Sequence, residues 1–247
     1  MRLDKALVVR GLCGSRTEAQ ARISEGEVLI NNAPARKASE EISAEAVLSL
    51  LNTGPRWVSR GALKLEAALT NFALDVSRRE ALDVGASTGG FTECLLRRGV
   101  LRVHAIDVGH GQMAPSVAAD PRVTLREGVN ARFLTPGDFP HTFGVIVADL
   151  SFISLTLVLP ALAPLLAVNG DMICLVKPQF EVGAGNLGKG GIVRNASARE
   201  QALMRVTACA AACGLAEQGR MTSPILGGDG NVEFLLWLKQ AEGRGIL

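Results

Sequence analysis

Between residues 80 and 177, five short runs (EALDVGA, RVHAIDVG, RVTLREG, GVIVADLS and DMICLVK) combine apolar and β-branched residues and are separated by longer connecting segments. Strands joined through such crossovers cannot pair as hairpins, so this order confines the chain to a mostly parallel sheet with helices on both faces, an α/β fold. Helices are expected at GGFTECLLRRG, across 154–167 and at SAREQALMRVTACAAACG, after an opening helix in RWVSRGALKLEAAL. A final run, NVEFLLWLK, follows the turn-rich SPILGGDG and is expected as one antiparallel strand.

The first residues have another pattern, so residues 1–58 are expected to form a small α+β module with its linker, and 59–247 the sheet domain. LDKALVVRG reads as a short helix stopped by Gly11. SRTEAQARISEG reads as a second helix, with Ser15 and Glu18 in the arrangement of a capping box. EVLI, an Asn31-Asn32 turn and AVLSLL predict a small sheet, and NTGPR a linker. Seven basic residues against four acidic ones lie in the first 37 positions. Lys5 and Arg10 on the first helix, with Arg16 and Arg22 on the second, are expected to offer a basic face to a polyanion.

Over the whole chain of 247 residues, 26 basic and 24 acidic side chains leave a charge of +2, so any polyanion site must be local. Cys13, Cys94, Cys174, Cys209 and Cys213 are odd in number, lack CxxC spacing and sit in or beside apolar runs. That pattern predicts free thiols in a reducing cytosol and no cysteine metal site. The uncharged stretch 150–170 is long enough to consider as a membrane span, but Pro160 and Pro164 interrupt it, so buried sheet and helix are expected and no span.

LDVGASTGGFTECLL is a strand running into a glycine turn that opens a helix, the Rossmann-like arrangement. Gly85, Gly89 and Gly90 do not match the dinucleotide spacing, and no Gly-Lys-Ser/Thr follows to cradle phosphates. Such a turn suits a nucleoside ligand without phosphates, such as S-adenosylmethionine; another nucleotide is the alternative. Asp107 ends the next strand 22 residues beyond Gly85, where a carboxylate accepts both hydroxyls of a ribose.

Charges also interrupt apolar strands. Asp149 follows GVIVA and Lys177 follows MICLV, both at carboxyl ends of parallel strands, the rim where open α/β sheets bind ligands. Glu233 begins the last strand and reaches the same rim if that strand is reversed. Lys64 lies at the edge of the apolar stripe of Leu65, Ala68, Leu69 and Phe72, with no carboxylate three or four residues away. The plain alternative is a lysine snorkelling into water. Two lysines and two carboxylates in one cleft suit an alcohol substrate: each ammonium disfavours the other's charge, and a lysine neutral part of the time can take a hydroxyl proton. None of His104, His110 and His141 holds a comparable position.

Taken together, RLDKALVVRGLCGSRTEAQARISEGEVLINN, WVSRGALKLEAAL, LDVGASTGGFTECLL, ADLSFISL, LVKPQFE and GNVEFLLWL resemble the TlyA family along nearly the whole chain. These are bacterial ribosomal RNA 2′-O-methyltransferases with an FtsJ-like catalytic domain. The resemblance implies a Rossmann-like methyltransferase sheet behind an RNA-binding module shared with a small-subunit ribosomal protein. It implies S-adenosylmethionine as cofactor, ribosomal RNA or ribosomal subunits as partner, a cytidine ribose as acceptor, and a catalytic tetrad of Lys64, Asp149, Lys177 and Glu233. It carries the cofactor pocket over to Asp83, Gly85, Ser87, Thr88, Gly89, Gly90, Phe91 and Asp107, with Glu127 and Asn130 near the adenine. Arg56, Trp57 and Val58 match a coupling linker. Residues 183–195, whose glycines confer mobility and whose Lys189 and Arg194 can meet phosphates, are expected as an RNA-facing lid; a plain flexible surface loop is the alternative. The chain lacks tyrosine, so stacking on an extruded base falls to phenylalanine or tryptophan. Two other classes stay open: a non-catalytic RNA-binding assembly factor, and a membrane-active protein, since the family often carries a haemolysin label.

Overall fold

The structure is a computed structural model describing residues 1–24, 26–51, 57–183, 185, 187–228 and 230–241. Contacts divide the chain into two compact units, Met1–Arg56 and Trp57–Leu247. The expected linker at 52–56, Arg56 included, lies outside the described residues.

In the first unit, helix α1 (Leu3–Val9) packs on α2 (Arg16–Ser24), and β1 (Val28–Ile30) pairs with both β2 (Ala33–Pro34) and β3 (Leu48–Leu50). Asn31 and Asn32 take φ of 51° and 67°, so two left-handed residues turn β1 into β2. Leu3, Leu7, Ala19, Ile23 and Val28 form its core. Ser15 Oγ accepts from the Glu18 amide at 3.2 Å, but the Glu18 carboxylate caps Gly14 rather than Ser15, so the expected capping box forms only in part.

Charge in this unit is largely spent inside it. Asp4 is fully buried and accepts from Arg2, Arg16 and Gln20, which hold its carboxyl well below the usual range. Arg10 is exposed and donates to the carbonyls of Ala44 and Ala46. Arg22 is a correction to the expected basic face: it is buried, bridging Glu18 at 3.0 Å and Glu27 at 3.3 Å. A guanidinium with two carboxylates in reach is more stable packed between them than turned to solvent. Lys5 and Arg16 stay exposed.

The second unit contains α3 (Gly61–Asn71), β4 (Glu80–Val84), α4 (Gly90–Arg97), β5 (Arg102–Ile106), α5 (Pro115–Ala118), β6 (Val123–Arg126) and β7 (Phe143–Ala148). These are followed by α6 (Leu159–Leu162), β8 (Leu166–Val176), α7 (Pro178–Glu181), α8 (Ala196–Ala212), β9 (Leu215–Thr222) and β10 (Phe234–Gln240). One seven-stranded sheet runs β6-β5-β4-β7-β8-β10-β9, with β10 antiparallel to both its neighbours and the other paired strands parallel. Residue alternation gives each strand two faces. Leu82, Ile146, Met172, Cys174 and Leu236 pack under α6 and α8, whereas Ala81, Val145, Val147, Ile173, Leu175 and Leu235 pack under α3 and α4.

Two expectations fail here. The segment 154–167 is no continuous helix: Pro160 and Pro164 divide it into a 3-10 turn at Leu155–Leu157, α6 and a second 3-10 turn at Ala163–Leu165. Strand β9 is also new; LAEQGRMT lies at the sheet edge, half exposed, and so lacks the apolar alternation of an inner strand. No helix among the described residues is long and apolar enough to cross a membrane.

Asp171 stitches this edge together. Only 2% exposed, it accepts from Arg79 at 2.6 Å and from the Trp237 indole at 2.7 Å, binding β8 to β10. Asp171→Ala leaves a half-buried indole N–H and a partly exposed cation without an acceptor, and is expected to cost about 1–3 kcal/mol in urea unfolding. A loss within experimental error of zero would show that water replaces the carboxylate.

Candidate active site

The cleft opens at the carboxyl edge of the sheet, where β4 ends in the glycine turn. Gly85 has φ +84°, and a Cβ there would stand 2.5 Å from the Asp149 carbonyl oxygen, so only glycine lets β4 and β7 close this near. At Gly90 a Cβ would meet Ser59 Oγ at 2.1 Å, since the start of α4 lies against the lead-in to α3.

Strand alternation brings the charged residues together. Asp149 continues the series Val145–Val147, Lys177 continues Ile173–Leu175, and Glu233 precedes Leu235 by two, so all three belong to the face that α3 covers. Lys64 Nζ donates to Glu233 Oε2 at 2.5 Å, with side-chain exposures of 10% and 2%. Lys177 Nζ lies 2.7 Å from Asp149 Oδ1 and donates to Ser151 Oγ at 2.8 Å. Lys64 is therefore held in a buried pair rather than snorkelling into water, and each lysine has its own carboxylate. The 2.7 Å contact is poorly directed, leaving Asp149 Oδ1 buried and without a hydrogen-bond partner among the described residues.

Two adjoining cavities meet at Gly85, Ser87 and Asp149. The smaller, about 220 Å³, is lined by Lys64, Gly85–Thr88, Gly90, Phe91 and Ile225 among others. The larger, about 570 Å³, runs between Asp107, Gln112 and Asn130 on one side and Leu150–Ile153 on the other. Asp107 Oδ2 accepts from the Ser87 amide at 2.8 Å and Oδ1 from the Gly109 amide at 2.7 Å. Both oxygens keep a lone pair for a further donor.

The FtsJ-like methyltransferase family model matches residues 57–240, and the S4 domain model matches residues 1–48. The chain is 46% identical, over 99% of its length and 92% of the relative's, to the 16S/23S rRNA (cytidine-2′-O)-methyltransferase TlyA of Mycobacterium tuberculosis. It belongs to the TlyA family of FtsJ-like methyltransferases. Hemolysin A of Brachyspira hyodysenteriae is 38% identical over 95% of this chain and 98% of that protein. A solved Streptococcus thermophilus structure that also bears a hemolysin label superposes with TM-score 0.76 at 41% identity, covering 98% of this chain and 89% of that one.

Within this TlyA-family cleft the expected residues divide. Gly85, Ser87, Thr88, Gly90, Phe91, Asp107 and Asn130 line the cavities, while Glu127 is half-buried outside the lining. Gly89 has φ +94° and lies against Val117. Asn130 turns its Oδ1 to the Arg132 amide at 3.0 Å. In the segment expected as a lid, of which residues 184 and 186 lie outside the described residues, Lys189 and Arg194 are exposed. Its carboxyl half is tied down, because buried Asn231 accepts from the Val193 amide at 2.9 Å and donates to the Gly191 carbonyl at 3.1 Å.

Three further residues in and around the cleft escaped the sequence reading. Gln112 lines the larger cavity and meets Ser87 Oγ at 3.1 Å. Glu181 is buried at the end of LVKPQFE, and its carboxylate, held up by burial, accepts from Ser154 Oγ at 2.5 Å and the Leu155 amide at 2.8 Å. It thereby pins the loop after Asp149. That loop carries Phe152, 92% exposed and at φ +64°, with its ring 5.3 Å from Phe180. A bulky residue in the left-handed region is strained, and strain of this kind gathers at functional sites.

Asp83 lies fully buried beneath the glycine turn. Desolvation pushes its carboxyl up to about 7, against the Thr92 hydroxyl that donates to it at 2.6 Å, and Asp149 and Asp107 add repulsion. A carboxyl raised in the folded state binds more protons there than when unfolded, so this group lowers stability as pH climbs from about 4 to about 7. Asp83→Asn keeps an acceptor for Thr92 and removes the titration. Relative to wild type, its urea midpoint is expected to be more favourable at about pH 8 than at about pH 5; an equal difference at both would mean that Asp83 stays ionised.

Proposed function

We propose that the chain transfers a methyl group from S-adenosylmethionine to the 2′-hydroxyl of a cytidine ribose in ribosomal RNA, with Lys177 as the base. The observation that carries this reading is the meeting of two lysine–carboxylate pairs at the rim of a cleft that also holds Asp107 and the glycine turn.

The cleft suits the cofactor in its acceptors and apolar walls. Asp107 has lone pairs to spare for ribose hydroxyls, and Ile106, Val129 and Val158 offer apolar walls for an adenine. When bound, the cofactor supplies a methyl carbon on a sulfonium centre, a strong electrophile. The protein then has to align the hydroxyl with it and remove one proton. A substrate hydroxyl in the place of Ser151 Oγ would lie beside Lys177 Nζ, which takes the proton. Asp149, at 2.7 Å, stabilises the ammonium so formed. The Lys64 ammonium, fixed by Glu233, lines the inner wall and orients the acceptor ribose. Phe152 offers an exposed ring on which the target base stacks, backed by Phe180.

The S4 unit supplies sequence-independent affinity. Lys5, Arg10 and Arg16, the last two already engaged by Ala44, Ala46 and Asp4, and Lys189 and Arg194 on the second unit are among the exposed cations offered to phosphates. A cytoplasmic place of action follows from that substrate.

Tritiated-methyl transfer to ribosomal subunits lacking the modification tests the reading. Lys177→Ala is expected to lower turnover about 10²- to 10⁴-fold while equilibrium binding of S-adenosylmethionine is little changed. Wild-type turnover in the variant would remove the base, and methyl appearing on a nucleobase would remove the acceptor. Phe152→Ala is expected to reduce kcat/KM for RNA about tenfold or more, the worth of one stacked base. An unchanged value would leave its strained backbone without this explanation.

A further inference from the structure

At the amino edge of the sheet, away from the cleft, three chemically distinctive side chains meet. Glu80 begins β4, His104 lies within β5 opposite Leu82, and His141 stands two residues ahead of β7. One donor atom of each, two imidazole nitrogens and a carboxylate oxygen, lies within 4.8 Å of both others. Glu80 Oε2 contacts His141 Nε2. Among the described residues His104 Nε2 is buried with no hydrogen-bond partner, which leaves a polar atom desolvated without return.

The surroundings hold the cluster in place. The His104 ring meets Phe143, Phe139 and His141 edge-on at 5.3, 6.0 and 6.0 Å, so it is wedged between aromatic rings. Desolvation keeps this imidazole below its usual basicity; Glu80 opposes that shift, and His141, Arg102 and Arg126 add to it.

We propose that Glu80, His104 and His141 form a binding site for a zinc-class divalent cation, with two imidazole nitrogens and one carboxylate oxygen as ligands. Imidazole donors favour zinc, cobalt or nickel over magnesium and calcium, which take oxygen. With bonds of about 2.0–2.2 Å, tetrahedral donors stand roughly 3.4 Å apart. The touching Glu80 and His141 atoms therefore have to separate while any wider spacing, at most 4.8 Å, closes, and side-chain rotation of Glu80 and the exposed His141 accommodates both. A fourth position remains for water, because the side chains of Glu80 and His141 are 32% and 40% exposed. The ion joins β4, β5 and the approach to β7. It lies at the edge opposite the methyl-transfer cleft, so its effect is on sheet stability. Ligands from three separate elements escape any search for closely spaced metal motifs.

Full-length protein stripped with chelator is titrated with zinc chloride against a chromophoric competitor, and its thermal midpoint is followed with and without zinc. Wild type is expected to bind one zinc per chain and to unfold at a higher temperature with it. His141→Ala, which removes an exposed ring and spares the core, and Glu80→Gln are each expected to weaken binding about tenfold or more and abolish the midpoint rise. Cobalt is expected to give visible d–d absorption without thiolate charge transfer. Wild-type affinity in His141→Ala, a thiolate band with cobalt, or less than one zinc bound would each overturn the site.

Discussion

An ammonium and a carboxylate buried together hold the face of the sheet beneath α3. Lys64 comes from the helix before the first sheet strand and Glu233 from the start of β10, 169 residues later, and the two meet at 2.5 Å almost without solvent. Such a pair gives little net stability over apolar side chains, but removing either partner strands a charge worth about 3–5 kcal/mol. The pair is therefore retained for what it orders. It ties α3 to the one reversed strand of the sheet, at the edge where Asp149 and Lys177 end theirs.

The sheet turns that constraint into a site. Six parallel strands put their carboxyl ends at one rim, and β10, being antiparallel, brings its beginning to the same place. Period-two alternation then assigns Asp149, Lys177 and Glu233 to the face of α3. Polar residues beyond these three and Lys64 shape the remaining wall: Glu181 fixes the loop carrying Phe152, and Asn231 fixes the segment ending at Val193. Both work by satisfying backbone amides that would otherwise be buried without acceptors.

In the S4 unit, charge counting overstates the cationic surface. Asp4 draws on Arg2 and Arg16, Arg22 is enclosed by Glu18 and Glu27, and Arg10 is bound to carbonyls. What faces solvent is a sparser set of cations than the sequence totals imply, and contacts to a phosphate backbone are additive in such cations.

Much of this was legible in the residues alone. Apolar periodicity and the spacing of glycines and Asp107 determined an α/β sheet with a glycine-turn cleft, because they report local backbone preferences and strand order. The positions of Lys64, Asp149, Lys177 and Glu233 within apolar runs marked them as a candidate set. Only the tertiary structure decided how they pair, since a lysine's partner 169 residues away depends on sheet order and not on local pattern. The same holds for edge strand β9, whose half-exposed residues carry no alternation, and for Arg22, whose burial depends on two neighbours turning toward it. It holds equally for Glu80, His104 and His141, which lie far apart in sequence and are brought within 4.8 Å by strand pairing. Local chemistry is written residue by residue, but long-range pairing follows from packing, where each side chain's environment is supplied by segments the local sequence does not contain.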